Sequence, residues 1–411
     1  MLCQFSFSNF RSYRDNTVFD FQASNVAEYK ESLINTDKAS DLLPVSVIYG
    51  PNGGGKTNLL AALSCVISLV VGPVKDFEKT QNHFVIQQRV ELMPYMFDDI
   101  SSNEPTSFEL FFRVKDNEYR YNISLSDGVI VEESLYKKII GAKKSALIFT
   151  RENSSINIGQ SIGKKKINTD VNVKMPFISF LAINYSIEVI QEAMSWFESC
   201  IIRSYANPMV ERQMLLMENE ASKKLLIDMM NDMGIAISDY RYDEKREEFF
   251  LQRKIGDKVY DLSFVNESDG TKKLFAALPV IILALNEGRL LIVDELDAKL
   301  HPMLLRYVIK LFTNKKSNKK GAQLLFTSHD MATMKNTIFR RDEIWFAALN
   351  EDNSSEIYSL YDIRRDDNEH VNNTAAYDKQ YMEGRYGADP YMRNRETRDG
   401  SLSPFIFSSN N

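Results

Sequence analysis

The run from Val45 to Leu60, VSVIYGPNGGGKTNLL, constrains the fold more than any other stretch of the chain. Val45 to Tyr49 is short, apolar and β-branched, as a buried strand of a parallel sheet is. Gly50-Pro51-Asn52-Gly53-Gly54-Gly55-Lys56-Thr57 then matches G-x-x-x-x-G-K-[ST] in full. Asn58 to Leu63 continues with good helix formers. Strand, loop and helix agree, so the expectation is an α/β fold whose loop cradles phosphates. The residue types follow from that chemistry. Glycines let the backbone turn with its N–H groups pointing inward, and the helix N-terminus adds partial positive charge. Lys56 is expected to reach the β/γ-phosphates, and Thr57 to place its hydroxyl on Mg2+. The expected ligand is ATP, held by residues 50–58.

Leu290-Leu291-Ile292-Val293 is an apolar strand that ends in Asp294-Glu295. Two acids at a strand end are common in isolation. Behind a P-loop they read as the second half of a nucleotide site, the Walker B strand. Asp294 is expected to hold Mg2+, directly or through water, and Glu295 to orient and deprotonate the attacking water. Three further pieces resemble those of ABC-type ATPases. Leu296-Asp297-Ala298-Lys299-Leu300-His301-Pro302 looks like a D-loop, which implies that Asp297 contacts a second subunit. Phe326-Thr327-Ser328-His329-Asp330 looks like a switch segment, which implies that His329 senses the γ-phosphate. Glu267-Ser268-Asp269-Gly270-Thr271-Lys272-Lys273 opens the helix ahead of Asp294 and resembles a signature motif. That resemblance implies that Ser268, Gly270 and Thr271 act on ATP held by another copy, in a head-to-tail homodimer. Ser268 also reads as a plain helix N-cap.

Elsewhere the pattern is coarser. Cys3–Asn9 and Thr17–Phe21 read as a hairpin ahead of the loop, and the helix after Thr57 is expected to run to about Val71. Strands are expected at Phe108–Val114, Glu118–Leu125, Val129–Tyr136 and Ser145–Thr150, within a β-rich stretch that starts near Gln87. Asn153–Thr169, with its Lys164-Lys165-Lys166 run, reads as a solvated loop. Ser186–Arg203 and Asn219–Met233 read as helices, too short for a coiled coil. Strands return at Ile235–Tyr242, Glu248–Arg253 and Lys258–Phe264, and a helix spans Gly270–Leu285. A helix near Pro302–Phe312, a buried strand at Gln323–Thr327 and edge strands at Asp342–Leu349 and Ser355–Leu360 follow. The expected organisation is residues 1–75 as the N-terminal part of the head and 76–175 as a β-rich insertion. Residues 176–250 are a helical arm for dimerisation or a partner, 251–365 the C-terminal part of the head, and 366–411 a charged tail ending in SSNN.

Composition narrows the class. The net charge of −6 argues against wholesale coating of nucleic acid, although a local basic face stays open. Three cysteines and four histidines are too few and scattered for a disulfide framework or a zinc site, which points to a reducing cytoplasm. The first residues carry no signal-peptide pattern, and the run Ala276–Leu285 is about half a membrane span.

Asn9-Phe10-Arg11-Ser12-Tyr13 ahead of the P-loop resembles the opening of RecF, SMC-like repair ATPases and OLD-family ATPases, which implies that Arg11 lies near the nucleotide. The whole chain resembles the RloA/AbiLi-type AAA ATPases of bacterial anti-phage loci. The resemblance rests on Glu104-Pro105-Thr106-Ser107-Phe108-Glu109, the signature and Asp-Glu-Leu-Asp segments, Arg341-Asp342-Glu343-Ile344-Trp345-Phe346, and Gly384-Arg385-Tyr386-Gly387-Ala388. It implies an ABC-type, RecF/SMC-like P-loop ATPase head with an inserted antiparallel sheet and a short helical arm. It further implies an ATPase that regulates a separately encoded effector, a nuclease such as an RloB-type protein. Two departures matter. Asn184 stands where a Q-loop glutamine is expected, and about fifty residues after the last strand are too few for the TOPRIM nuclease domain of OLD proteins. Asp366, Asp367 and Glu369 read as a solvated acidic loop. A RecF-like DNA-end-binding ATPase and an ATP-gated scaffold with little hydrolysis are the alternatives.

Overall fold

The computed structural model describes residues 1–78, 91–163, 166–204, 220–364 and 370–388. The chain opens with an antiparallel hairpin, β1 (Leu2–Ser8) and β2 (Thr17–Asp20), then reaches β3 (Val45–Tyr49) and α1 (Lys56–Glu78). Five strands follow: β4 (Thr106–Val114), β5 (Asn117–Ser126), β6 (Val129–Ile139), β7 (Ala146–Glu152) and β8 (Ser155–Ile158). Next come α2 (Phe177–Asn184), α3 (Glu188–Ser199), β9 (Ile201–Ser204) and α4 (Glu220–Asp232). A small antiparallel sheet, β10 (Asp239–Asp243), β11 (Glu248–Ile255) and β12 (Lys258–Ser263), precedes α5 (Asp269–Glu287). The rest is β13 (Leu290–Asp294), α6 (Pro302–Thr313), β14 (Gln323–Thr327), β15 (Ile344–Leu349), β16 (Ser355–Ser359) and α7 (Tyr377–Met382).

The central sheet runs β16-β15-β3-β14-β13-β9, parallel except for β16. β3 and β14 are buried at every residue, the signature of strands covered on both faces. Side chains alternate between two cores. Ile48, Ile292 and Leu325 face the one built with α1, α2 and α3, while Val47, Val293 and Phe326 face the one built with α5 and α6. The strand β14 lies between the P-loop strand and the strand ending in Asp294, which sets the geometry of the site.

The second sheet departs from a plain insertion. Its order is β2-β1-β4-β5-β6-β7-β8, because β1 pairs antiparallel with β4, about a hundred residues downstream. The N-terminal hairpin and the inserted strands are one surface, stacked over α1 by Phe5, Phe7, Phe108 and Phe112. Gln323 on β14 clips this surface to the central sheet: its side chain accepts from Leu2 N at 2.7 Å and donates to Leu2 O at 2.9 Å.

Several expectations are corrected. The helix read over Ser186–Arg203 ends at Ser199, and Ile201–Ser204 is a strand. The two isoleucines sit beside β13, and pairing at that sheet edge overrides helix propensity. The loop read over Asn153–Thr169 holds β8, paired to β7. α2 was unread. β15 is interior, flanked by β3 and β16, so of these two strands β16 alone is an edge. α1 continues past Gly72-Pro73 to Glu78, carried by its packing in the core. It is also long and apolar enough to cross a membrane, but its apolar stretch is 67% buried in this fold. The described part of the tail is packed rather than solvated: Tyr377, Tyr381, Tyr386 and Ala388 are buried, and Tyr381 and Tyr386 lie 5.3 Å from Phe346. Lys164, Lys165, Asp366, Asp367, Glu369, the region at Gln87 and the SSNN end lie outside the described residues.

Candidate functional site

The P-loop joins β3 to α1, and α1 begins at Lys56 itself. Gly50 has φ +149° and Gly55 φ +106°, values open to glycine. Close packing adds a second reason for both. A Cβ on Gly50 would collide with Ala347 O of β15, and one on Gly55 would lie 2.5 Å from Ser355 Oγ of β16. Lys56 is buried, and its ammonium donates to Gly50 O at 2.8 Å and Pro51 O at 2.9 Å. Burial pushes its pKa down, opposed by the nearby charges of Asp294, Glu295 and Asp297. Among the described residues no carboxylate pairs with it directly. A buried cation wrapped around a glycine cradle fits a triphosphate that would complete its coordination.

Thr57 follows Lys56 and faces solvent. Its hydroxyl lies 3.0 Å from Asp294 Oδ2 and 3.2 Å from Oδ1. A hydroxyl and a carboxylate in contact at the mouth of the cradle are hard oxygen donors of the kind that would hold Mg2+. Thr327, at the end of β14, completes this corner. Its hydroxyl donates to Asp294 Oδ1 at 2.6 Å and accepts from Glu295 N at 2.7 Å. Glu295 sits at φ +50°, a left-handed conformation costing a non-glycine residue about 1–2 kcal/mol. Glu295 is exposed, one residue after Asp294.

The turn after Glu295 links two other segments. Asp297 Oδ2 accepts from His329 N at 2.8 Å, which ties the Glu295–Lys299 turn to the segment after β14 within one chain. Asp297 Oδ1 is buried without a hydrogen-bond partner, and the His329 ring is exposed. On the other side, Ser268 caps α5: its oxygen accepts from Thr271 N at 3.2 Å and contacts Thr271 Oγ1 at 2.8 Å. Gly270 lies against the same turn, where a Cβ would come 3.2 Å from Lys299 O. The structure thus links Thr57, Asp294 and the Glu295 N–H by hydrogen bonds, with Thr327 as the bridge, and separately ties Asp297 to His329. Lys56 lies near these carboxylates without a bond to them among the described residues, and Gly270 packs on the Glu295–Lys299 turn.

Arg11 is held at φ +52°, and its N–H donates to Met93 O at 2.8 Å. Its guanidinium reaches Asn58 Oδ1 at 3.4 Å, one residue past Thr57. Asn58 in turn donates to Ser12 Oγ at 2.8 Å, so the Asn9–Tyr13 turn braces the start of α1. Asn184 ends α2, exposed, and its side chain donates to Phe180 O at 2.9 Å in its own helix.

A family model described as "AAA domain, putative AbiEii toxin, Type IV TA system" matches residues 45–335. The chain belongs to this AAA-domain family. No curated protein matches it. Among solved structures it is similar to the SMC head domain from Thermotoga maritima, at 14% identity and a TM-score of 0.45, over 87% of this chain and 98% of that one. It is also similar to the Smc head domain of Pyrococcus furiosus, with an extended coiled coil and bound to the C-terminal domain of ScpA. That match has 12% identity and a TM-score of 0.41, over 87% of this chain and 96% of that one.

The AAA-domain segment ends ahead of β15 and β16, yet these strands hold the P-loop in place. Ser355 N donates to Ser12 O at 2.6 Å, Ser355 Oγ to Ser12 Oγ at 2.8 Å, and Tyr13 OH to Gly55 O at 3.3 Å. Ser355 carries no motif that a sequence reading could find. Thr327 was within reach, one strand residue ahead of Ser328-His329, but its role depends on β14 lying next to β13. Lys273 is a further residue without an assigned part. It is buried, and its ammonium donates to Glu295 O at 2.7 Å and Ala298 O at 2.8 Å. Burial pushes it down to about 8, with Asp297 and Glu295 opposing and Lys299 adding to the shift.

Proposed function

We propose that this chain binds Mg-ATP at the Gly50–Thr57 loop and hydrolyses it with Glu295 as base, between two copies arranged head to tail. In this reading it is a cytoplasmic regulator of a separately encoded effector, a nuclease of the RloB kind, in anti-phage defence. The observation that carries the ATPase reading is the contact of the Thr57 hydroxyl with the Asp294 carboxylate at 3.0 Å. Two segments more than two hundred residues apart meet at the mouth of a buried lysine and a glycine cradle. The family's description names a putative toxin of a type IV TA system, and the anti-phage reading rests on the resemblance carried by Arg341–Phe346 and Gly384–Ala388.

Each residue then has a task. The loop N–H groups and Lys56 bind the β- and γ-phosphates, and Arg11 with Asn58 lies toward the rest of the nucleotide. Magnesium, held by Thr57 and Asp294, would draw charge from the phosphate oxygens. Glu295, left-handed and facing solvent, orients a water and takes its proton. His329, tethered at its backbone to Asp297, reads the terminal phosphate. Ser268 and the α5 N-terminus offer an N–H-rich clamp to the ATP of the second copy.

Steady-state Mg-ATP hydrolysis by the wild type, Lys56→Ala and Glu295→Gln tests this reading. Lys56→Ala is expected to lose nucleotide affinity. Glu295→Gln is expected to keep affinity and lose on the order of a hundredfold or more in kcat. Equal turnover by wild type and Glu295→Gln would remove Glu295 from the chemistry and leave the nucleotide-gated scaffold.

A further inference from the structure

We infer that Lys273 is a positioning residue: by holding the carbonyls of Glu295 and Ala298 it fixes the catalytic turn to the N-terminal end of α5. The inference rests on the hydrolytic reading above for its consequence, and on bonded geometry for its existence.

The turn from Glu295 to Lys299 is short and strained. Glu295 and Lys299 both have positive φ, +50° and +62°. Its internal bonds, Ala298 N to Glu295 O at 3.1 Å and Leu300 N to Asp297 O at 2.9 Å, are those of isolated turns. Such a turn needs outside support to hold one geometry. Support comes from two elements on opposite sides of Glu295. Thr327 of β14 holds its N–H, and Lys273 of α5 holds its C=O.

The α5 side is a continuous seam. Asp269 pairs with Lys299 at 3.1 Å, Gly270 packs on Lys299 O, and Lys273 reaches Glu295 O and Ala298 O. All three lie within the first five residues of α5, whose cap is Ser268. The residues offered to a second copy's ATP and the residues that hold this chain's base are therefore one rigid piece. A shift of α5 at its capped end moves Glu295 through Lys273. This gives the two sites of a dimer a mechanical link, running from the occupied clamp on one chain to the base of that same chain.

The test compares full-length wild type with Lys273→Met, which keeps the stem and removes the donors, and with Lys273→Arg, which restores a donor. Turnover, ATP affinity and amide exchange of residues 295–300 are measured on each. Lys273→Met is expected to lower kcat on the order of tenfold with KM changed less than about threefold. Exchange at the Ala298 and Leu300 amides is expected to speed up, and Lys273→Arg to return both toward wild type. Should Lys273→Met not fold, Lys273→Leu, which also lacks a donor, takes its place with the same expectations.

Wild-type kcat in Lys273→Met, or unchanged exchange at 298 and 300, would overturn the inference. So would a loss of kcat matched by an equal rise in KM and not restored by arginine, which is the mark of a merely structural lysine. A wild type that does not hydrolyse ATP defeats the hydrolytic reading, and the exchange measurement then decides the brace by itself.

Discussion

At the scale of single residues, the site is built by backbone as much as by side chain. Thr327 shows this most clearly, since one hydroxyl both donates to Asp294 and accepts from Glu295 N. Its removal leaves a partly buried N–H without its partner and frees the carboxylate expected to hold the metal. Thr327→Val is expected to cost about 1–3 kcal/mol in denaturant unfolding and to lower kcat more than ATP affinity. Thr327→Ser should restore both, and a Val variant with normal kcat would exclude a role for this hydroxyl. The motif residues were legible in the sequence because phosphate chemistry dictates their types. The parts played by Thr327 and Lys273 were not, although both lie in quoted motif segments, because each depends on which strand or turn lies beside it.

At the scale of elements, a buried turn at Arg340–Glu343 leads into β15. Arg340 is fully buried and bonds Asp342 at 2.8 and 2.9 Å, and Asp342 accepts from Ser24 N at 2.8 Å. Glu343 caps the turn by accepting from Arg340 N at 2.9 Å, with its other oxygen unpartnered. Burial pushes Glu343 up to about 8 from an ordinary 4.5, with Asp342 adding to the rise and Arg340 opposing it.

The sign follows from proton counting. The folded state holds a proton that the unfolded chain releases above 4.5, so this group's contribution is full below that pH and is lost as pH rises through about 8. Melting of wild type and Glu343→Gln across pH 5 to 8.5 is therefore expected to shift steadily in favour of the variant. A constant difference would show that Glu343 is ionised in the fold throughout. Element types were readable wherever the apolar period was long. The strand at Ile201–Ser204 was not, because four residues after a helix take their conformation from β13. Nor was the union of β1 with β4, since no local signal links residues a hundred positions apart.

At the scale of the molecule, two sheets converge on one corner. The central sheet supplies the P-loop and Asp294, with Ala347 of β15 and Ser355 of β16 against the glycines, and the antiparallel sheet supplies Arg11 and Ser12 from the turn between β1 and β2. Ser268 is exposed at the head of α5, and Gly270 beside it is half-buried against the Glu295–Lys299 turn. The central claim is that ATP joins two heads through these residues. The mass of Glu295→Gln in solution, with and without Mg-ATP and beside Lys56→Ala, tests it most directly. The account predicts that Glu295→Gln doubles in mass only with Mg-ATP, while Lys56→Ala does not change. A Glu295→Gln protein that binds Mg-ATP and stays monomeric would contradict it.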